Sequence, residues 1–383
     1  MKNSLIIILY DHPFNHTADY CTQTSKYLHD EYFVLDVLLK DAFTIKEYFT
    51  KQRSNTPIIR YEYRKIIITP ILLVPFKRFK IVQKINQYIV SFSIHILVEI
   101  IRLLFKLDKA ILWSFNPLEY VGFSQRWDRS VKICDCVDFH EEMQHASSQY
   151  SIALKAYDYV TANSTSLYRL LKNYRYDIIK VPIGFDLDTL ENSQVHPIVV
   201  PWKSKYSIGY IGGINSRIDF RLLRSVVRMN PSVDFVFIGQ IQQRESCDVF
   251  NDSVMNQIQS LFAMKNVYHI PLIPREDIGS FVIRFTACMI PYDAKLLFNK
   301  YSFPMKLFEY IYFHKPILST PIDELAYYDD FVHIGATASE WNDQVKKILK
   351  AKSPQYSMYT AAQILKESTW KEKIDSILVY SGI

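Results

Sequence analysis

The stretch Tyr301-Ser-Phe-Pro-Met-Lys-Leu-Phe-Glu-Tyr310, running on through residues 311–315 into Pro316-Ile-Leu-Ser-Thr320, decides the reading of this 383-residue chain. It reads as a loop that turns into a helix and hands on to a buried strand. Pro304 suits a first helical turn, where its missing N–H costs nothing. The amides of Met305 and Lys306 then point out of the helix start, where an anion is favoured. Glu309 lies one turn further along the same face and can accept two hydroxyls. Amides and a cation for phosphate, with a carboxylate for a diol, describe a seat for a nucleoside diphosphate. The plainer reading of the same residues is a helix start carrying a surface Lys and Glu.

Outward from this segment the chain alternates short β-branched runs with helix-like stretches, the pattern of parallel sheets covered on both faces. In the first half, strands are expected at 5–10, 33–38, 110–114, 131–136, 159–162 and 178–181. Helices are expected at 19–30, within 79–107, and at 164–173. In the second half, strands are expected at 206–211, 235–238, 267–270, 287–290, 316–319 and 331–334. Helices near 217–229, 251–262, 275–285 and 304–313 separate them. The organisation predicted is a domain over 1–185, a polar, proline-bearing linker over 186–205, a second domain over 206–368 and a terminal helix over 369–383. Two doubly wound domains leave a cleft between the C-terminal edges of their sheets, where open α/β sheets bind ligands.

A second motif is Ile208-Gly-Tyr-Ile-Gly-Gly-Ile-Asn-Ser-Arg-Ile-Asp219. A strand runs into a glycine pair, a polar turn and a helix carrying Arg217 and Asp219. Gly212 and Gly213 let the backbone approach a ligand, Asn215 lies in the turn, and Arg217 offers a planar fork to a diphosphate. The dinucleotide fingerprint Gly-x-Gly-x-x-Gly is not met, which disfavours NAD. A glycine-rich turn with a surface Arg remains the plain alternative.

The segment from Pro304 to Tyr310 closely resembles the Pro-x-Lys-x-(Phe/Tyr)-Glu-Tyr signature of family-4-like glycosyltransferases with the GT-B fold, of the bacterial polysaccharide-assembly type. The resemblance implies an α/β fold of two Rossmann-like domains, with the terminal helix crossing back onto the first. It implies that Glu309 holds the ribose of a sugar nucleotide and that a basic residue of the glycine loop, here Arg217, holds the diphosphate. It also implies backbone readout of the base near Leu272 and contact of Tyr292 with sugar or phosphate. Phe303, Pro304, Met305, Lys306 and Leu307 complete the expected donor seat. Val181-Pro-Ile-Gly-Phe-Asp186 resembles the family's Pro-Asn-Gly-Val-Asp element at the hinge, with Ile183 in place of Asn.

Lys132-Ile-Cys-Asp-Cys-Val-Asp-Phe-His-Glu-Glu142 is similar to a Tyr-Asp-Cys-Val-Asp-(Asp/Glu) stretch found in a subset of these enzymes. A strand there is expected to deliver Asp135 and Asp138 to an acidic loop. A carboxylate at a strand's C-terminal edge can take the proton of an acceptor hydroxyl, and neighbouring acids raise its proton affinity. Asp138 is the first candidate for that base; His16, with His12, is the second, on the loop after the first strand. The bland alternative is a solvated acidic loop. Two departures stand out: Tyr301 occupies the position, eight residues before Glu309, where retaining members carry an acid, and the usual glycine loop after the first strand is replaced by His-Pro-Phe-Asn-His16.

The expected activity is transfer of a sugar from a nucleoside-diphosphate donor, most simply UDP-linked, to a hydroxyl of a glycan or lipid-linked oligosaccharide. No cofactor and no metal beyond that donor substrate is expected, since Asp186-Leu-Asp188 follows the hinge and Arg217 with Lys306 can stabilise the leaving charge. Two rivals remain open: a UDP-sugar epimerase on the same scaffold, and a non-catalytic GT-B binding protein, suggested by Tyr301 and the absent glycine loop.

Composition narrows the setting. A hydrophobic content of 49% excludes disorder. Five cysteines without repeated spacing read as reduced thiols in a cytoplasmic protein, and the apolar run after Met1 reads as a buried strand rather than an export signal. The net charge of +6 is concentrated: residues 58–109 hold ten Lys/Arg against Glu62, Glu99 and Asp108. The same window holds the apolar runs 66–76 and 88–101, each too short to span a bilayer. Basic residues beside an apolar face suit an anionic membrane surface, as at the inner face of a plasma membrane; a buried core helix with a basic rim is the other reading. Nucleic acid is not expected, because no basic-aromatic repeat accompanies the patch.

Overall fold

The computed structural model describes residues 3–13, 20–50, 58–75, 79–118, 130–139, 147–192, 195–241, 252–351 and 356–383. The chain forms two compact units, residues 1–182 with 370–383, and residues 183–369.

The first unit runs β1 (Ser4–Tyr10), α1 (Tyr20–Leu28), β2 (Phe33–Leu38), β3 (Phe43–Thr44), α2 (Ile45–Thr50), β4 (Ile59–Glu62), β5 (Lys65–Ile68), β6 (Ile71–Leu72) and α3 (Lys80–Phe105). It continues through β7 (Lys109–Ser114), β8 (Val131–Cys136), α4 (Ser147–Lys155), β9 (Tyr159–Ala162), α5 (Thr165–Leu171) and β10 (Ile179–Lys180). Its main sheet has the order β10-β9-β8-β7-β1-β2-β5-β4. All neighbours pair in parallel except β4 with β5. Leu5 through Tyr10 are wholly buried, as expected of a central parallel strand covered on both faces.

The tract that opens at Ile66 is not one apolar run. Its start belongs to β5, the second arm of a hairpin whose two-residue turn, Tyr63-Arg64, carries Arg64 at φ 58°. The run 88–101 likewise lies inside a longer element, the 26-residue helix α3. Asp36, in the middle of β2, is fully buried beside Lys65 Nζ at 3.0 Å, with hydrogen bonds from Ser25 and Tyr10. Burial pushes its carboxyl up, against the pull of Lys65.

The second unit runs α6 (Leu187–Glu191), β11 (Tyr206–Ile211), α7 (Phe220–Met229), β12 (Val233–Ile238), α8 (Asp252–Phe262), β13 (Val267–Ile270), α9 (Ile278–Val282) and β14 (Ala287–Ile290). Then come α10 (Leu297–Tyr301), α11 (Lys306–Tyr312), β15 (Ile317–Ser319), β16 (Val332–Ile334), α12 (Ala338–Lys350) and α13 (Met358–Glu367). Its sheet is parallel throughout, in the order β13-β12-β11-β14-β15-β16. Of residues 186–205, expected as a linker, the described ones (186–192 and 195–205) belong to this unit. The amides of Lys203 and Ser204 donate to Asp234 Oδ2, that of His196 donates to Ser280 Oγ, and the Trp202 ring lies 5.5 Å from Phe285.

The last helix, α14 (Trp370–Ser381), belongs to the first unit. It buries Trp370, Ile374, Ile377 and Leu378 there, and Lys373 Nζ reaches Asp135 Oδ1 at 2.9 Å, where Thr161 also donates. Asp135 is therefore a fully buried partner in the middle of the fold, not a carboxylate delivered to the loop after β8.

Candidate functional site

In the second sheet the strand order reverses between β11 and β14, and open α/β sheets bind ligands beyond the carboxyl ends of the strands at such a point. The sequence puts Gly212-Gly213 after β11 and Pro291-Tyr292 after β14. Gly212 has φ +142°, and a Cβ there would meet Lys306 Cε at 2.5 Å. Gly239, at the end of β12 with φ +147°, would drive a Cβ to 2.1 Å from the Gly212 carbonyl. Gly239 thus lets the two loops meet backbone to backbone, and Gly212 leaves room for the Lys306 ammonium. Lys306 Nζ donates to Tyr292 Oη at 3.1 Å and sits 5.3 Å from the Tyr210 ring, whose hydroxyl donates to the Gly213 carbonyl.

Arg217 lies in the loop rather than on the helix, which starts at Phe220 with Asp219 as its cap. Its N–H donates to Asn215 Oδ1, its Nε to Asn299 Oδ1 at 2.8 Å, and a terminal nitrogen to Ser302 Oγ at 3.3 Å. The guanidinium stacks 4.5 Å from both the Tyr292 and the Phe298 rings. Asn299 returns two bonds, to the carbonyls of Arg217 and Asp293. A cation held by neutral amide, hydroxyl and ring partners keeps its charge available to an anion.

Neither Arg217 nor Lys306 forms an ion pair with a carboxylate among the described residues. Two half-buried cations therefore converge on Tyr292 without an acid to balance them. Burial pushes the Tyr292 phenol up, but the charges of Lys306 and Arg217 and the hydrogen bond from Lys306 prevail, leaving it below its ordinary value.

The helix opens two residues later than expected. Met305 is the cap, Lys306 is the first helical residue, and the first turn closes from Leu307 N–H to the Pro304 carbonyl. Phe303, Pro304 and Leu307 are buried; Phe303 stacks on Phe308 at 5.3 Å, so these three offer backbone rather than side chains. Leu272, beyond β13, is 60% exposed. Glu309 Oε1 accepts from Arg275 at 3.2 Å, and the same guanidinium lies 3.8 Å from Asp186. Arg275 thus links Asp186 to Glu309. Arg275 has no counterpart in the motifs that the sequence offered, and neither do Asn299 and Ser302, which the fold alone brings to Arg217.

The first sheet has its own reversal between β7 and β1. Asp11 and His12 follow β1, with His12 Nδ1 2.9 Å from Asp11 Oδ1. Tyr20 donates to both Asp11 oxygens and meets the His12 ring edge-on at 5.0 Å. Burial, then the charges of Asp11 and Asp138, push the Tyr20 hydroxyl well up, so Asp138, half-buried after β8, shares this neighbourhood. His16 lies outside the described residues. Donor atoms of Asp11, His12 and Cys21 fall within 4.8 Å of one another, making this the described group that could hold a metal ion; Tyr20 already engages both Asp11 oxygens. Cys21, Cys134, Cys136 and Cys288 are buried thiols outside any disulfide among the described residues, and Cys247 lies outside the described residues.

No protein-family model matches the chain. Solved structures do. Sucrose-phosphate synthase from Thermosynechococcus elongatus superposes with a TM-score of 0.69 at 12% identity, over 98% of this chain and 97% of that one. HepE from Anabaena, solved with UDP and glucose, superposes with a TM-score of 0.64 at 11% identity, over 99% and 100%. The chain has the GT-B fold of glycosyltransferases. Among curated sequences, the chain is similar to a Bacillus subtilis (strain 168) protein, TuaH, to which a glycosyltransferase role in teichuronic acid biosynthesis is ascribed. It is 22% identical over 181 residues, 46% of this chain and 43% of the relative, so the match spans under half of either.

Proposed function

We propose that this chain transfers a sugar from a nucleoside-diphosphate donor, UDP first, to a hydroxyl of a growing or lipid-linked glycan, in the cytoplasm beside an anionic membrane, as part of cell-surface polysaccharide synthesis. The observation that carries this reading is the pair of cations, Arg217 and Lys306, held by neutral partners around Tyr292 at the strand reversal. Transfer breaks the bond between the anomeric carbon and the diphosphate, and the diphosphate departs with extra negative charge. Arg217 and Lys306 are suited to take up that charge without reorganising. Glu309 is suited to accept the ribose hydroxyls, with Arg275 fixing its orientation. The acceptor hydroxyl gives up a proton as the new glycosidic bond forms, and Asp138 or the Asp11–His12 pair could accept it. HepE, solved with UDP and glucose, and the B. subtilis relative support the donor and the glycan class respectively.

The test is thermal denaturation with UDP. A ligand at about 100 times its Kd adds about 2.7 kcal/mol, which reads as a rise of several degrees. Lys306→Met should keep the ligand-free melting point and lose most of that rise; Arg217→Gln should lose the rise too, from a lower starting point, because buried Asn299 and Ser302 lose their donor. If no nucleoside diphosphate shifts the unmodified protein, the reading fails.

A further inference from the structure

Helix α3 has two apolar faces, and only one has a partner. Its 26 residues extend about 39 Å at 1.5 Å per residue. On one side Val90, Ile94, Val98 and Ile101 pack into a cluster with Leu9 and Leu112 of the sheet. On the other, Ile81, Ile85, Tyr88, Phe92, Ile96 and Leu103 recur at spacings of three, four and seven, each at least 43% exposed and Leu103 78%. Asn86 clamps the Val74 backbone with bonds of 3.0 and 2.8 Å, which holds the neighbouring segment and its exposed Ile71 and Leu73 beside this helix. So much apolar surface in water marks an interaction site.

Charge identifies the occupant. Lys80 and Lys84 stand at the start of the helix, Lys106 and Lys109 just past its end, and all four are exposed. None forms an ion pair among the described residues, whereas Glu99 is paired with Arg102 and Glu62 with Arg60. The apolar stripe is thus bracketed by net positive charge at both ends, the exposed Asp108 between Lys106 and Lys109 offsetting one of the four lysines. Lys65, counted with the basic patch from the sequence, is turned inward onto Asp36, and Lys77 and Arg78 lie outside the described residues.

We propose that α3 docks this protein on an anionic lipid surface, lying in the plane of the bilayer with its exposed stripe in the acyl boundary and the four lysines among the headgroups. By length and composition the helix could cross a membrane, with a mean hydropathy of 1.9 over 18 residues. Its packed face argues for lying rather than spanning, because leaving the sheet would expose that whole cluster. The surface gives the membrane setting of the proposed reaction a physical location, yet it rests on exposure and charge alone, so it stands or fails separately from the donor site.

The test is sedimentation of the full chain with vesicles of equal parts phosphatidylglycerol and phosphatidylcholine, against phosphatidylcholine alone. Binding to the anionic vesicles, weakened by salt, is expected. Replacing Lys80, Lys84, Lys106 and Lys109 by Gln should lower the partition coefficient roughly fivefold per lysine. The triple change Ile81→Glu, Phe92→Glu and Leu103→Glu should abolish binding. Both variants should retain the melting point and any UDP-induced shift, since every altered side chain is exposed. No binding, equal binding to neutral vesicles, or binding unchanged in both variants overturns the proposal. So does a dimeric mass in solution that becomes monomeric in the triple variant, which would make the stripe a self-association face.

Discussion

Tyr292 sits where two cations meet, and its ionisation reports on them. A phenol whose folded value is lowered contributes stability above the unfolded value near 10, and that contribution is lost as pH falls through the folded value. Burial pushes the neighbouring Tyr210 the opposite way, well up, with Tyr292 adding to the effect. An alkaline titration followed by near-ultraviolet absorbance should therefore reveal one phenol ionising ahead of the rest. Tyr292→Phe should remove that early step. Saturating UDP should move it back up, because a bound diphosphate neutralises Lys306 and Arg217 together. An early step that survives Tyr292→Phe would mean the cations act elsewhere.

Among the elements, α14 and β8 are joined by a buried charge pair, and that pair makes a quantitative prediction. Lys373 is 4% exposed and Asp135 not at all. Lys373→Met strands a buried carboxylate and should cost about 3–5 kcal/mol in denaturant unfolding. Adding Asp135→Leu should restore most of that loss; a double variant no better than the single one would show that packing around α14, not charge, sets the cost. At this scale the sequence was most readable where strands are buried on both faces. Strands β2, β8, β9, β11 and β14 have the limits their β-branched and apolar runs predict. The β4–β5 hairpin escaped because β4 exposes Ile59 and Tyr61 and its turn is Tyr-Arg, not a glycine pair. The site divided in the same way. Arg217, Lys306 and Glu309 announced themselves by residue type and motif. Their holders did not, since Asn299 is 82 residues from Arg217 and only the folded sheet brings them together.

For the whole molecule, every side chain of the proposed donor seat falls within residues 183–369. A fragment of that range should fold alone and show the same UDP-dependent rise in melting point as the full chain; a soluble fragment that ignores UDP would place the nucleotide elsewhere. The first unit cannot be cut out so simply, because it is made of two separated stretches, with residues 370–383 completing it. That discontinuity sets an order on the ribosome. The second unit is translated entire before its predecessor has all its residues. Meanwhile the gap awaiting Trp370, Ile374 and Ile377 stays open, with the Asp135 carboxylate hydrated and its partner not yet translated. Nascent chains ending at residue 369, followed by a flexible linker long enough to clear the ribosome, should accordingly resist proteolysis in their later portion while their earlier portion is still cleaved.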